Sequence, residues 1–223
     1  QPLAPIANRD EMDFSLDSSL IRLRRSALYP SLFQQAFGDS AITSERFLKS
    51  LSQFMLTIVS SNSKYDKVIR NEEKFTPMEQ KGYDLFKTKC ASCHSGWRFT
   101  DDSFHDIGVK DEDIGRGKFL KLTSQQHAFK TSSLRNIDQR GPYMHNGSEK
   151  TLEDVVEFYN KGGNAKRESL SEMIKPLNLS NNEKKSLVAF LHTLTSNDKP
   201  VTFILDAVIV PFLLTLLGNK LVI

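Results

Sequence analysis

The sequence predicts an all-α protein whose helices are separated by long loops. Apolar residues recur at helical spacing in several stretches, and some of these stretches begin at a threonine that can cap a helix. No stretch shows the alternation of a long strand, and no internal repeat is visible. The 223 residues are 39% hydrophobic and 26% charged, which is ordinary for a soluble globular protein of one large or two small domains.

The N-terminal third of the chain is predicted to contain two helices. Residues 30–36 form a short helix, because a proline stands in its first turn and Gly38 follows its end. Thr43 can cap a second helix. The apolar residues on one face of that helix are Phe47, Leu51, Phe54, Met55 and Ile58. We interpret residues 1–75 as an N-terminal helical segment.

Residues 76–197 are predicted to contain three more helices. The sequence TPME is a capping box with Thr76 as the cap, and the helix that follows it leads into Cys90. About fifty residues with little periodicity come next, and loops of such length are usually functional. Residues 151–160 form a further helix that ends at two glycines, and an amphipathic helix lies in residues 180–196. One face of this last helix carries Leu187, Phe190, Leu191 and Leu194.

The segment KTKCASCHSGW contains the only two cysteines of the chain, Cys90 and Cys93, and His94 follows directly. In a C-x-x-C-H motif both thiols form thioether bonds to a porphyrin, and the imidazole becomes the proximal ligand of the haem iron. A thioredoxin-like redox pair would need a βαβ unit, a zinc site would need two more closely spaced ligands, and a disulfide would close only a tiny loop. The motif therefore predicts one covalently bound haem c.

The order of elements agrees with this cofactor. A helix that enters C-x-x-C-H, a long loop and a C-terminal amphipathic helix form the plan of a class I cytochrome c domain, in which the last helix packs across the first.

Haem c is attached on the outer side of the bacterial inner membrane, so we expect a periplasmic protein. No signal-peptide pattern opens the sequence. The net charge of +3 is too small and too evenly spread to favour nucleic-acid binding.

Several separated segments resemble the second haem domain of the bacterial dihaem cytochrome c peroxidases, and within that family the MauG-like proteins. They are FKTKCASCHSG, DDSFHDIGV, FKTSSLRNIDQRGPYMHNGSEKTLEDVVEFYNKGG and EKKSLVAFLHTLTS. The resemblance implies an electron-transfer haem in residues 76–197, and a peroxidatic haem in another domain that reduces hydrogen peroxide. It also implies a small cytochrome or cupredoxin as electron donor, or a protein substrate if the chain is MauG-like, and it leaves a homodimer open.

The family's N-terminal C-x-x-C-H has no counterpart in this chain, so we expect residues 1–75 to be helices left from a two-haem architecture. The second haem would belong to the missing part. Glu11, in the segment PIANRDEM, matches the family's acid–base glutamate. The resemblance also implies a calcium site with the carbonyl groups of Arg140 and Pro142, but its asparagine ligand would lie in the missing part. A fragment, a truncated gene product and a shortened relative are the interpretations left open.

The sixth iron ligand has several candidates by side chain, namely Met144, Met173, His127, His145 and Tyr159. Met144 is favoured by the frequency of His/Met ligation in carrier haems. In the family, the ligand follows the histidine of an H-x-G loop by fourteen residues, which leads from His145 to Tyr159. Most dihaem peroxidases have methionine there, and MauG-like members have tyrosine. We predict Tyr159 as the ligand, with Met144 as the alternative and an ordinary hydrogen-bonded core tyrosine as the non-functional interpretation.

Two further features allow more than one interpretation. Lys130 and Arg135 either pair with haem propionates or lie in solvent. The apolar tail, residues 198–223, does not fit the family, and its uncharged run is too short to span a bilayer. An interfacial anchor, an interaction strand and a disrupted reading frame would each explain it, so membrane association stays open.

Two functions from different classes follow. The first is the haem c electron-transfer part of a periplasmic peroxidase or MauG-like oxidoreductase that acts on hydrogen peroxide. The second is a monohaem electron carrier or haem-binding module without peroxidase activity.

Overall fold

The computed structural model describes residues 3–196, which divide into two compact units, residues 3–59 and 60–196. The predicted tail, residues 198–223, lies outside the described residues. The sequence-based boundary after residue 75 stays a prediction. Residues 60–75, however, pack within the second unit, where Tyr65 and Phe75 contact its hydrophobic core.

The first unit contains four helices: α1 Leu3–Ala7, α2 Leu16–Arg25, α3 Tyr29–Phe37 and α4 Ser44–Thr57. The structure confirms the two predicted helices as α3 and α4. Gly38 ends α3 with φ +87°, and the Thr43 hydroxyl accepts a hydrogen bond from the Arg46 amide at the start of α4. Ile58 was predicted on the inner face of α4, but the helix ends before it and Ile58 is 62% exposed. The core of the unit consists of Ile6, Leu20, Leu23, Tyr29, Phe33, Ile42 and Phe47.

The described part of the second unit contains α5 Lys64–Ile69, α6 Pro77–Lys89, α7 Gly117–Leu120, α8 Leu152–Lys161 and α9 Asn181–His192. Strands β1 Phe104–His105 and β2 Phe129–Lys130 pair antiparallel within the long loop. Helices α6, α8 and α9 confirm the three predicted helices, and each begins at a reciprocal capping box. Among residues 3–196, no helix combines the length and apolarity needed to cross a bilayer.

The crossing of α6 and α9 forms the centre of the second unit, as the class I cytochrome c plan predicts. A Cβ atom added at Gly82 of α6 would lie 1.9 Å from the Ser186 carbonyl oxygen and 2.8 Å from Phe190 Cβ on α9. The two backbones therefore touch at Gly82. Further along α6, the rings of Tyr83 and Phe86 lie 5.2 and 5.0 Å from the ring of Phe190. This crossing holds the Cys90 end of α6 against α9.

Gly82→Ala should lower the free energy of unfolding by about 3 kcal/mol, because the added methyl group overlaps a backbone carbonyl that cannot move aside. Without that contact, replacing glycine by alanine inside a helix would stabilise the protein by up to about 1 kcal/mol. Denaturant unfolding of the haem-loaded protein measures the difference. Lys81→Ala, at an exposed position of the same helix, serves as the control. A Gly82→Ala protein as stable as its parent would contradict the close crossing.

Two buried ion pairs fix the loops of the second unit. The Arg135 guanidinium donates to both carboxylate oxygens of Asp66 at 2.7 Å and to the Trp97 carbonyl oxygen at 2.8 Å. Arg167 donates to both carboxylate oxygens of Asp106, each at 2.7 Å. Removing one partner would leave a buried charge uncompensated, which is costly. These pairs therefore hold the segments before and after β1 in place.

Candidate haem site

A cavity of about 530 Å³ lies in the second unit, between the end of α6, helices α8 and α9, and the long loop. Its volume falls within the range of about 300–1,000 Å³ that is usual for cofactor sites. The residues predicted to attach and ligate a haem all line it: Cys90, Cys93, His94, Tyr159 and Met144. Much of the remaining wall is apolar and includes Phe86, Val109, Phe129, Leu134, Leu152 and Leu191.

The C-x-x-C-H motif folds as a single turn at the end of α6. Cys90 is the C-terminal cap of the helix, and its carbonyl oxygen accepts hydrogen bonds from the amides of Cys93 at 3.3 Å and His94 at 3.0 Å. The two cysteines form no disulfide. Burial raises the pKa of Cys90 to about 12, and burial also raises the pKa of Cys93. Both thiols are therefore neutral, and neither has the lowered pKa of a catalytic or redox cysteine.

His94 is held in the orientation that an iron ligand needs. Its Nδ1 lies 3.0 Å from the carbonyl oxygen of Phe99, which follows in the same tight loop. A proton on Nδ1 that is donated to this carbonyl leaves the Nε2 lone pair for a metal. Burial lowers the pKa of His94, so the imidazole is neutral at neutral pH. Phe99 is itself buried, with φ +55°, and packs against the ring of Phe86.

Tyr159 lies on the face of α8 that lines the cavity, together with Leu152, Val155 and Val156. This arrangement confirms the inward face predicted from helical spacing. Burial, followed by the neighbouring Cys90 and Cys93 thiols, raises the pKa of Tyr159. In the described part of the chain, no protein group forms a hydrogen bond with its hydroxyl. A structural core tyrosine normally has such a partner, so the open hydroxyl in the cavity fits the ligand interpretation better.

Met144 and Met173 also line the cavity, on two different loops. Met144 has φ +68°, a conformation that is uncommon for a residue with a side chain. The Met173 sulfur lies 3.9 Å from the Cys93 sulfur, at the thioether side of the site. Met144 therefore remains the alternative to Tyr159.

Four cations line the cavity, and no aspartate or glutamate within residues 3–196 does so. They are Lys89, Lys130, Arg140 and Lys175. All four are exposed residues, and Lys130 also lies 2.9 Å from Asp102. An apolar cavity with cations at its surface suits an apolar macrocycle that carries two propionates. The residues present therefore fit a haem.

Neither interpretation of Arg135 holds, because it does not lie in solvent and does not line the cavity, whereas Lys130 does line the cavity. Arg135 is 7% exposed and is held by Asp66 and the Trp97 carbonyl. No local sequence pattern indicates this pairing, because Asp66 lies 69 positions away. Lys175 was not recognised from the sequence, and Arg140 was considered only for its backbone.

Three loop histidines line the cavity, and each has a structural partner. His105 Nε2 lies 2.8 Å from Asp101, and His127 Nδ1 lies 2.9 Å from the Asp113 carbonyl oxygen. The His145 ring stacks on Phe129 with 3.6 Å between ring centroids. They are therefore better explained as polar loop residues than as iron ligands.

Glu11 lies in the first unit, as an exposed residue in the turn between α1 and α2. Its amide donates to the Asn8 carbonyl oxygen at 3.2 Å, within the same turn. The catalytic role of Glu11 stays a prediction, as does the calcium site at Arg140 and Pro142.

The comparisons with known proteins agree on one family. Residues 1–74 match the family described as di-haem cytochrome c peroxidase, and residues 79–195 match cytochrome c. The chain is 43% identical to the methylamine utilization protein MauG of Methylophilus methylotrophus, over 87% of this chain and 60% of that protein. It is 44% identical to MauG of Methylorubrum extorquens, over 91% of this chain and 59% of that protein.

A crystal structure of a MauG-like protein associated with microbial copper homeostasis has the same fold, with a TM-score of 0.80 and 30% identity. The match covers 88% of this chain and 68% of that one. The chain thus spans about three fifths of the length of the two curated relatives and about two thirds of the solved one.

Proposed function

Because the chain belongs to the family of dihaem cytochrome c peroxidases and MauG-like proteins, we propose that its second unit relays electrons through haem c during a peroxide-dependent oxidation. The family is one of peroxidase-type oxidoreductases that bind haem c covalently. One observation carries the proposal. A single cavity brings together Cys90, Cys93, His94 and Tyr159 among apolar walls and exposed cations.

Each side chain of the cavity has a proposed task. Cys90 and Cys93 would attach the porphyrin, and His94 and Tyr159 would supply ligands to its iron. The apolar wall keeps water away, and the four cations offset the charge of the propionates. When bound, haem c supplies one-electron exchange at its iron.

Two protein ligands to the iron would favour electron relay over direct peroxide chemistry. Hydrogen peroxide needs an open coordination position, and Tyr159 would occupy the position that His94 leaves. Tyrosinate is also a hard anionic ligand, which stabilises the oxidised iron and lowers the reduction potential relative to methionine. We therefore propose that Glu11 serves a second haem, which the single C-x-x-C-H of these 223 residues cannot attach.

A monohaem carrier without peroxidase activity is the second candidate. The observation in its favour is the single C-x-x-C-H motif. Both candidates place haem attachment in the cytochrome c domain, and attachment outside the inner membrane makes the periplasm the proposed location. They differ in whether peroxide turnover appears when a peroxidatic haem domain is joined to the chain.

The haem-loaded 223-residue protein should turn over hydrogen peroxide slowly. Peroxide would have to displace a side chain that the fold holds beside the iron, and such proximity strongly favours the side chain. Stopped-flow mixing with hydrogen peroxide and a reduced small cytochrome measures the rate. Tyr159→Phe should react faster because it opens a coordination position, and Glu11→Gln should stay within about twofold of the parent.

Fusion to the peroxidatic haem domain of a MauG-like relative should raise turnover, and Glu11→Gln should then abolish the gain. No gain on fusion would favour the carrier. Rapid turnover by the 223-residue protein that is lost in Glu11→Gln would overturn the relay role, since this chain would then carry the peroxidatic site itself.

A further inference from the structure

Residues 114–122 form an exposed apolar surface in the second unit, here called the 114–122 surface. Four large hydrophobic side chains are exposed within these nine residues: Ile114 by 36%, Leu120 by 44%, Leu122 by 53% and Phe119 by 73%. The surface contains α7 and the residues on either side of it. Such a concentration of exposed apolar side chains usually marks a place where something binds.

The same surface is cationic. Arg116, Lys118 and Lys121 alternate with the apolar residues, and the sequence has no aspartate or glutamate from residue 114 to residue 126. Lys118 and Lys121 form no ion pair within residues 3–196. Arg116 is already engaged, since its guanidinium lies 3.9 Å from the centroid of the Phe104 ring. The two lysines are therefore free to meet an external negative charge.

The acidic residues just before this surface are partly engaged elsewhere. Asp111 accepts a hydrogen bond from Asn146 at 2.7 Å, and Asp113 accepts one from the Gly115 amide at 2.8 Å. Glu112 is exposed and is the remaining carboxylate of this stretch. These three acids keep their negative charge but precede the surface, whereas Lys118 and Lys121 lie on either side of Phe119 within it.

The 114–122 surface is bonded directly to the wall of the haem cavity. The His127 amide donates to the Ile114 carbonyl oxygen at 2.8 Å, and the Arg116 amide donates to the Ala128 carbonyl oxygen at 3.0 Å. His127 and Phe129, on either side of Ala128, line the cavity. Only the segment 127–129 would therefore separate a partner bound at this surface from the cofactor site.

We propose that the 114–122 surface docks a small redox protein with an acidic rim around an apolar centre. The inference rests on the proposed electron relay and names its contact surface. Phe119 supplies a large aromatic anchor, of the kind that dominates binding energy at interfaces. Lys118 and Lys121 steer an acidic partner and orient it, which raises the association rate. An anionic membrane is less well matched, because α7 has four residues and interfacial helices need a longer apolar face.

Binding is tested apart from electron transfer, with the haem-loaded protein and a small acidic c-type cytochrome whose iron is replaced by zinc. Lys118→Glu/Lys121→Glu should weaken its binding about tenfold or more at low salt, and Phe119→Ala should weaken it several-fold. The salt dependence should become flatter in the double variant. A basic small cytochrome should bind the double variant better than the parent.

Matched controls use exposed residues elsewhere in the same unit. Lys74→Glu/Lys185→Glu introduces the same charge change, and Met78→Ala removes a 53% exposed apolar side chain. Both should stay within about twofold of the parent. The visible spectrum and the reduction potential at an electrode should be the same in all variants, which shows that the haem is intact.

The docking proposal is overturned if the acidic cytochrome does not bind, or if the control variants weaken binding as much as the test variants. It is also overturned if the test variants lose binding to vesicles of anionic lipid but keep the cytochrome. Electron exchange is measured with the iron form of the same cytochrome. If that cytochrome binds at this surface but exchanges no electrons, the result contradicts the proposed relay and leaves the docking proposal intact.

Discussion

Cys90→Ala/Cys93→Ala protein should release all of its haem on denaturation, whereas the parent chain should keep one haem per polypeptide. Both thiols line the cavity beside His94, and the described structure pairs neither of them in a disulfide. Each is held neutral by burial, which raises its pKa. Cys90 and Cys93 would hold the porphyrin through thioether bonds, which no denaturant breaks.

A pyridine haemochrome assay on protein from a host that matures c-type cytochromes measures the haem per chain. Each single cysteine variant should keep one thioether and give a spectrum that differs from the parent's. Ser92→Ala is the matched control, because Ser92 lines the cavity between the two cysteines but attaches nothing. Haem that passes from the parent protein into acidic acetone would refute covalent attachment.

The helices that build the site could be predicted because their signals are local. Thr76, Thr151 and Thr43 each cap a helix through a hydrogen bond to an amide three residues further on. Helix α2 has an equivalent signal, since Ser15 caps it and Leu20 and Leu23 lie on its buried face. The prediction of two N-terminal helices does not include α2. The C-x-x-C-H motif is equally local, so its residues were found with their spacing intact.

Features that depend on distant residues could not be predicted. Arg135 and Lys130 have the same two interpretations in the sequence. Only Arg135 forms an ion pair with a buried carboxylate, that of Asp66 in α5. Gly82 is one of eleven glycines, and its importance appears only when α9 is placed against it. The cations of the cavity come from the end of α6, from β2 and from two loops, so their common location depends on the tertiary fold.

Tyr159→Phe should change the visible spectrum of the ferric protein, and Met144→Leu should leave it unchanged. Tyr159 lines the cavity, and its hydroxyl forms no hydrogen bond within residues 3–196, so we propose a haem iron as its partner. Phenylalanine keeps the aromatic ring, which packs edge-on against Phe158 with 5.2 Å between centroids. The exchange therefore removes the oxygen and leaves the packing of α8 in place.

The residue at position 159 should also control the reduction potential of the haem. Tyr159→Met should raise it by on the order of 0.2 V, since a neutral thioether stabilises oxidised iron less than a phenolate does and axial ligands tune haem potentials over about 0.8 V. Protein-film voltammetry measures the potential, and Met144→Leu again serves as the control because it changes the other candidate sulfur. If Met144→Leu shifts the spectrum and potential while both Tyr159 variants do not, Met144 is the ligand. The haem would then have the ligands of an ordinary high-potential carrier, and the case for a MauG-like site in this chain would rest on its sequence relatives alone.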